Sequence, residues 1–144
     1  MVYGPSQVAF FSYLSDHARG LGHQQVVPFD TVKLNAGNAF DPTTHTFICP
    51  TDGVYVFQSA LMAEFSDMVQ TQIVVDGAAI ADMYAGGSPT TFDQGFNSLV
   101  TLCRRGQRVW VRNLHDRGHN IYPFFYTTFS GYLLFEIEAT GGPI

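Results

Sequence analysis

The residues with chemistry to offer are few and scattered. His115 and His119 stand four apart in LHDRGHN, the spacing that sets two metal ligands on one face of a helix. Gly118 and the loop-forming residues around it deny that helix, and no third ligand completes a set, so the pair reads as part of a surface loop. His17, His23 and His45 are isolated and read as surface imidazoles. In Gly86-Gly87-Ser88-Pro89-Thr90 the closing glycine of a nucleophile elbow is missing and Pro89 is in the way, which leaves a turn. Twelve Asp and Glu show no pair at a spacing that predicts shared acid–base work. Asp76, Asp82, Asp93 and Asp116 fall in or near turns, where calcium finds oxygen ligands, but nothing fixes a site and no cofactor is expected. Cys49 and Cys103 are too far apart for a zinc framework. One disulfide and two small buried thiols both stay open, the second favoured because free cysteine packs as a small hydrophobe.

The most suggestive polar feature is a cluster of arginines. Arg104, Arg105, Arg108, Arg112 and Arg117 fall in one short stretch, while the carboxylates are spread along the chain. By strand parity Arg108, Trp110 and Arg112 share a face, and guanidinium groups beside an indole suit an anionic sugar or a lipopolysaccharide phosphate. The competing reading is a solvated turn with pairs to carboxylates of neighbouring subunits. The loop 113–125, NLHDRGHNIYPFF, mixes His, Asp, Arg, Asn and Tyr between apolar flanks, the composition of a sugar-binding loop as well as of a long connection. The candidate ligand-binding residues are therefore Arg108, Arg112, His115, Asp116, Arg117, His119, Asn120 and Tyr122.

Composition sets the limits. A chain of 144 residues makes one domain with a core of its own. Its net charge of −5 with seven Lys and Arg argues against nucleic acid, which needs a basic stripe. No run reaches the roughly 18 apolar residues of a membrane span, so no membrane insertion is expected. Only 13% of the residues are charged, yet 15% are aromatic, more rings than one small core takes up. Some of them belong on a surface that a partner covers.

The elements that must position these groups are strands. Turn signals recur at Gly20 to Gly22, Gly37-Asn38, Asp41-Pro42, Asp52-Gly53, Asp76-Gly77, Gly86 to Pro89, Arg105-Gly106 and Arg117-Gly118. Between them lie short alternating segments: 8–14, 54–61, 72–75, 98–102, 109–114 and 131–137. QSALMAEFSDM at 58–68 holds good helix formers but follows directly on an alternating strand, and reads as that strand running into a loop. The pattern is all-β, a sandwich or jelly roll, with residues 8–138 as the domain, 1–7 a lead-in and 139–144 a loose tail. Tyr55 and Phe57 point one way and Val54 and Val56 the other. Leu133, Phe135 and Ile137 likewise oppose Tyr132 and Leu134. Apolar residues on the second face of an antiparallel sheet imply burial against another subunit.

Phe29, Asn35, Phe40, Phe47, Gly53, Tyr55 and Phe57, in FDTVKLNAGNAFDPTTHTFICPTDGVYVFQS, stand in the order and spacing that mark the C1q domain, which the chain closely resembles. Val8-Ala9-Phe10-Phe11 is similar to that family's first strand, Arg105-Gly106-Gln107-Arg108-Val109-Trp110-Val111 to its glycine turn and next strand, and Phe129 to Phe135 to its closing strand. Ser59 departs from the pattern, which has Phe or Tyr there; the smaller side chain implies a small void or a changed contact. The resemblance implies a ten-stranded jelly-roll β-sandwich of two antiparallel sheets, associating as a homotrimer, secreted, without catalytic residues, in the C1q and tumour-necrosis-factor superfamily. The wording LNAGNAFDPTTHTF is most similar to the C1q-domain proteins of molluscs and other invertebrates. That implies an innate-immune, lectin-like protein that binds microbial glycans or lipopolysaccharide through its loops. The alternative is a signalling or structural ligand for a protein receptor.

Overall fold

The computed structural model describes residues 7–114 and 119–138. Among these, twelve strands follow one another: β1 (Ala9–Leu14), β2 (Ala18–Leu21), β3 (Thr31–Ala36), β4 (Phe40–Asp41), β5 (Thr46–Ile48), β6 (Gly53–Ala63), β7 (Met68–Val75), β8 (Ala78–Gly86), β9 (Asp93–Cys103), β10 (Arg108–Asn113), β11 (His119–Tyr122) and β12 (Phe124–Glu136). They form two antiparallel sheets. In the first, β6 pairs with β9 along one edge and with β12 and β11 along the other, while β1 and β3 extend it beyond β12 and β2 beyond β11. The second runs β4-β5-β10-β7-β8.

The β2–β11 ladder carries on where the β1–β12 ladder stops. Pro123, which has no amide to give, separates β11 from β12, and Phe124 follows it with a φ of 67°. Taking β1 with β2, and β11 with β12, as interrupted strands leaves ten strand positions, five to a sheet. The jelly roll expected from the sequence is what forms.

The aromatic anchors are its core. Phe10 stacks on Phe40 and Phe47 with ring centroids 5.0 and 5.1 Å away, and Phe129 meets it edge-on at 4.9 Å. Phe47 in turn lies edge-on to Tyr55 at 5.6 Å and Phe57 at 5.3 Å. Phe29, Phe40, Phe47, Tyr55, Phe57 and Phe129 are all fully buried. Asn35 holds a turn: its Nδ2 donates to the Phe40 carbonyl at 2.9 Å, and its Oδ1 accepts the Phe40 amide at 3.0 Å. Gly53 is there for close approach, since a Cβ at that position would stand 2.9 Å from the Phe135 carbonyl oxygen. Ser59 makes a changed contact, its buried hydroxyl donating to the Thr128 carbonyl at 2.9 Å.

The turns gather at two poles of the sandwich. Asp76 and Gly77, with φ of 48° and 87°, form the two-residue hairpin that suits the twist between β7 and β8. It lies beside the Arg104–Gln107 turn, the Asp52-Gly53 turn and the ends of the described chain, through the bonds Asp76 N to Arg108 O and Ile137 N to Asp52 O. At the opposite pole are the β6–β7 and β8–β9 connections and the end of β10, through the bonds Gly87 N to Asp67 O and Leu114 N to Gln70 O.

Four expectations are revised. Strands β2, β3, β4, β5, β8 and β11 had no clear alternation, being short, edge-lying or polar on one side. Segment 72–75 is the end of a longer β7. Gly20, read as a turn, lies inside β2 with a φ of 67°. Leu133 and Phe135 do not share a face, because the register slips between them. Leu133 packs on the core, while Phe135 pairs with Val54 on the outside. Segment 58–68 behaves as expected, ending β6 at Ala63 and resuming as β7 at Met68.

Candidate functional site

Two surfaces carry the residues of interest, one on each sheet. On β10 the burial pattern alternates, Val109, Val111 and Asn113 inward and Arg108, Trp110 and Arg112 outward. The Arg112 guanidinium is braced: Nε donates to Gln72 Oε1 at 2.9 Å and Nη1 to the Gly77 carbonyl at 3.1 Å. Gln72 is itself fixed by its Nε2, which donates to Asp82 Oδ1 at 2.8 Å. Arg108 is exposed, and its amide donates to Asp76 Oδ1 at 2.8 Å. Neither guanidinium forms an ion pair among the described residues. The face thus offers positive charge held in place by neutral partners, with donors left over for an anion.

The other candidate residues are not on this face. Asn120 and Tyr122 lie on β11, in the first sheet. The Asn120 amide donates to Asp67 Oδ2 at 2.9 Å and its Oδ1 accepts the Gly20 amide at 3.3 Å. The Tyr122 ring meets His17 edge-on at 5.2 Å and Phe92 at 4.7 Å. His17 Nδ1 contacts Glu64 Oε2 at 2.9 Å, with Arg19 3.7 Å from the same oxygen. His115, Asp116, Arg117 and the His119 side chain lie outside the described residues. So Arg108 and Arg112 stand together, and Asn120 and Tyr122 stand apart from them across the β10–β11 loop.

The second surface, which composition announced but did not locate, is the outer face of β1, β12, β6 and β9. Register places Tyr132, Val56 and Val100 in one row, Ser130, Gln58 and Ser98 in the next, and Thr128, Ala60 and Phe96 in a third. Phe11 and Tyr13 continue the face on β1, with Phe125 4.7 Å from Tyr13. No outward residue of these rows is charged. Phe96 is 64% exposed, Val100 63% and Phe125 61%. An uncharged, ring-rich face of this kind is unusual for a sheet surface left in water.

The remaining candidates are accounted for locally. Ser88 shares a hydrogen bond of 2.7 Å with Thr91 Oγ1 inside its turn. Asp93 Oδ2 accepts the Gly86 amide at 2.8 Å, and with Asp76 and Asp82 engaged as above, these carboxylates are spread over separate contacts. No group of three His, Cys, Asp or Glu that could hold a metal occurs among the described residues. Among them, too, no helix is long and apolar enough to cross a membrane. Cys49 and Cys103 are both buried and free. A hydrogen bond from Cys103 draws the Cys49 thiol down to about 7 against the effect of burial. The same bond, with burial, pushes Cys103 up; burial and then the bond to Cys49 push Tyr55 up.

Comparison with known proteins agrees with this architecture. The family model for the C1q domain matches residues 9–134. Complement C1q tumor necrosis factor-related protein 3 of Mus musculus is 31% identical over 133 residues, 92% of this chain and 53% of that protein, and the Homo sapiens protein of the same name matches equally. The chain therefore spans about half the length of these curated relatives. Among solved structures, the globular domain of zebrafish complement 1qA protein superposes with a TM-score of 0.76 at 17% identity, covering 90% of this chain and 98% of that one. Eiger TNF of S. frugiperda gives 0.74 at 14% identity, covering 96% and 99%. Both of these likenesses concern the fold alone.

Proposed function

Since this chain belongs to the C1q-domain family, we propose that it is a secreted recognition protein acting as a homotrimer, whose β10 face binds anionic microbial carbohydrate or lipopolysaccharide phosphate. Its activity is binding, with no catalytic step. The observation that carries this reading is the Arg108–Trp110–Arg112 face, where Arg112 is braced by Gln72 and Gly77 and neither arginine is spent on a carboxylate among the described residues. Asn120 and Tyr122, on β11 in the other sheet, are proposed as a separate contact, with His115, Asp116, Arg117 and His119 between them and the β10 face in sequence. Three copies, packed through the uncharged outer face of the first sheet, present three such faces, and avidity compensates for weak single sites.

The test is a glycan and lipopolysaccharide binding screen of the wild-type chain beside an Arg108→Ala, Arg112→Ala double variant. Binding to phosphorylated or acidic glycans that weakens with salt and falls at least tenfold in the double variant supports the reading. Signal that is absent, or unchanged in the variant, overturns it. A second reading is a ligand for a protein receptor, favoured by the match to a C1q tumor necrosis factor-related protein and by the fold shared with Eiger TNF. Recovery of one cell-surface protein, with no glycan signal, supports that reading instead.

A further inference from the structure

The chain crosses from one sheet to the other between β5 and β6, and Cys49 sits at the start of that crossing. Its backbone is locked onto the β9–β10 turn: the Cys49 amide donates to the Gln107 carbonyl at 2.9 Å, and the Gly106 amide donates to the Cys49 carbonyl at 2.8 Å. That turn begins one residue after Cys103. Cys103 closes the β6–β9 ladder opposite Gly53. Both cysteines are buried, at 1% and 0% exposure, and both belong to the one hydrophobic core cluster. Cys49 Sγ also reaches the Thr51 carbonyl at 3.1 Å, and the Tyr55 hydroxyl donates to the same oxygen at 2.7 Å, closing the site from the side of β6. Two buried thiols brought to one pole by separate backbone contacts, on segments that belong to different sheets, are placed as a disulfide requires.

We propose that Cys49 and Cys103 are a modification site, an intrachain disulfide that staples the two sheets together at the pole where the described chain begins and ends. The reaction is thiol–disulfide exchange with a small-molecule disulfide such as oxidised glutathione. The Cys49 thiolate attacks one glutathione sulfur and expels the other glutathione as its thiolate. The Cys103 thiolate then attacks the Cys49 sulfur of the mixed disulfide and expels the second glutathione. One Sγ–Sγ bond forms, two protons leave the cysteines, and the two electrons end on two molecules of reduced glutathione. Because both sulfurs are buried once the sheets have met, the exchange accompanies folding. The loop it closes contains β6, β7, β8 and β9, so the bond removes freedom from much of the unfolded chain.

The experiment refolds the reduced full chain in a mixture of oxidised and reduced glutathione, then treats it with N-ethylmaleimide in denaturant and measures its mass. The expected chain is lighter than the reduced one by two hydrogen atoms, carries no maleimide, and yields a peptide pair joined through Cys49 and Cys103. Cys49→Ala and Cys103→Ala each leave one sulfur, capped by maleimide or one glutathione. The wild-type chain alone gives a second measurement: its oxidised form should melt several degrees above its reduced form. Two maleimides per chain, two separate glutathione adducts, a bridge between chains, or an oxidised form no more stable than the reduced one would each overturn the proposal.

Discussion

Val56 and Val100 stand directly opposite one another on β6 and β9, yet Val56 is 7% exposed and Val100 is 63% exposed. The difference comes from position: β6 has hydrogen-bonded strands on both edges, while β9 pairs with β6 alone. Val100 is thus exposed in the single chain and, in the proposed trimer, would lie in the interface. Val100→Lys should leave the circular dichroism spectrum almost unchanged while lowering the mass in sedimentation or light scattering, with a lower thermal midpoint from the lost association. The expected change is from three times 15.9 kDa to the single chain. A wild-type chain that is already monomeric when dilute, or a variant that stays assembled, would remove the outer face of the first sheet as the interface.

Asn35 is where a motif residue can be weighed by itself. Its amide group makes both a donated and an accepted bond with the Phe40 backbone, and Gly37 and Asn38 between them have φ of 83° and 54°. Asn35→Ala should cost about 1–3 kcal/mol, the range for a lost pair of half-buried hydrogen bonds. Asn35→Asp should cost less, because the acceptor for the Phe40 amide survives. Urea unfolding of the three proteins orders them, and an alanine variant as stable as wild type would show that the turn does not depend on this side chain.

Acid should weaken one contact in a predictable direction. Partial burial works against the charge of Asp30, but the hydroxyl and amide of Ser15, its own amide and the Thr31 hydroxyl outweigh it, and the carboxyl is held below its usual value. A pKa lower in the folded state means that the unfolded chain binds the proton more tightly. The stabilisation is therefore complete above the unfolded aspartate value of about 3.9 and drains away as pH falls through the folded value. The group is largely exposed, so the effect is below about 1 kcal/mol. Comparing Asp30→Asn with wild type by urea unfolding should show a deficit at pH 7 that shrinks near pH 3. A deficit that is constant with pH would assign it to packing.

The fold was legible because its anchors do one job each. Phe29, Phe40, Phe47, Tyr55 and Phe57 fill the core, Asn35 closes a turn, and Gly53 allows an approach that no side chain permits. Tertiary context decided the rest. β2 and β11 are short continuations of other strands, and nothing within ARGL or HNIY reveals that Pro123 breaks one strand position in two. The bulge at Leu134 inverted the parity of Phe135, since alternation alone carries no signal for an inserted residue. Arg108, Trp110 and Arg112 were placed correctly on one face by parity. Asn120 and Tyr122 were grouped with them by nearness in sequence, whereas the β10–β11 loop carries the chain to the other sheet.

Thr71 offers a change of the opposite sign. It faces inward on β7, 1% exposed, opposite Asn113 on β10 and Met83 on β8. Its hydroxyl oxygen has no hydrogen-bond partner among the described residues. A buried hydroxyl without a partner costs free energy that a methyl of the same shape does not. Thr71→Val keeps the β-branched outline that a strand prefers and should raise stability by about 1 kcal/mol. Thr71→Ser keeps the polar atom, removes a methyl from the core, and should lower it by about as much. Urea midpoints measured side by side test both; a valine variant less stable than wild type would mean that the hydroxyl is paired in solution, through a water held between β7 and β10.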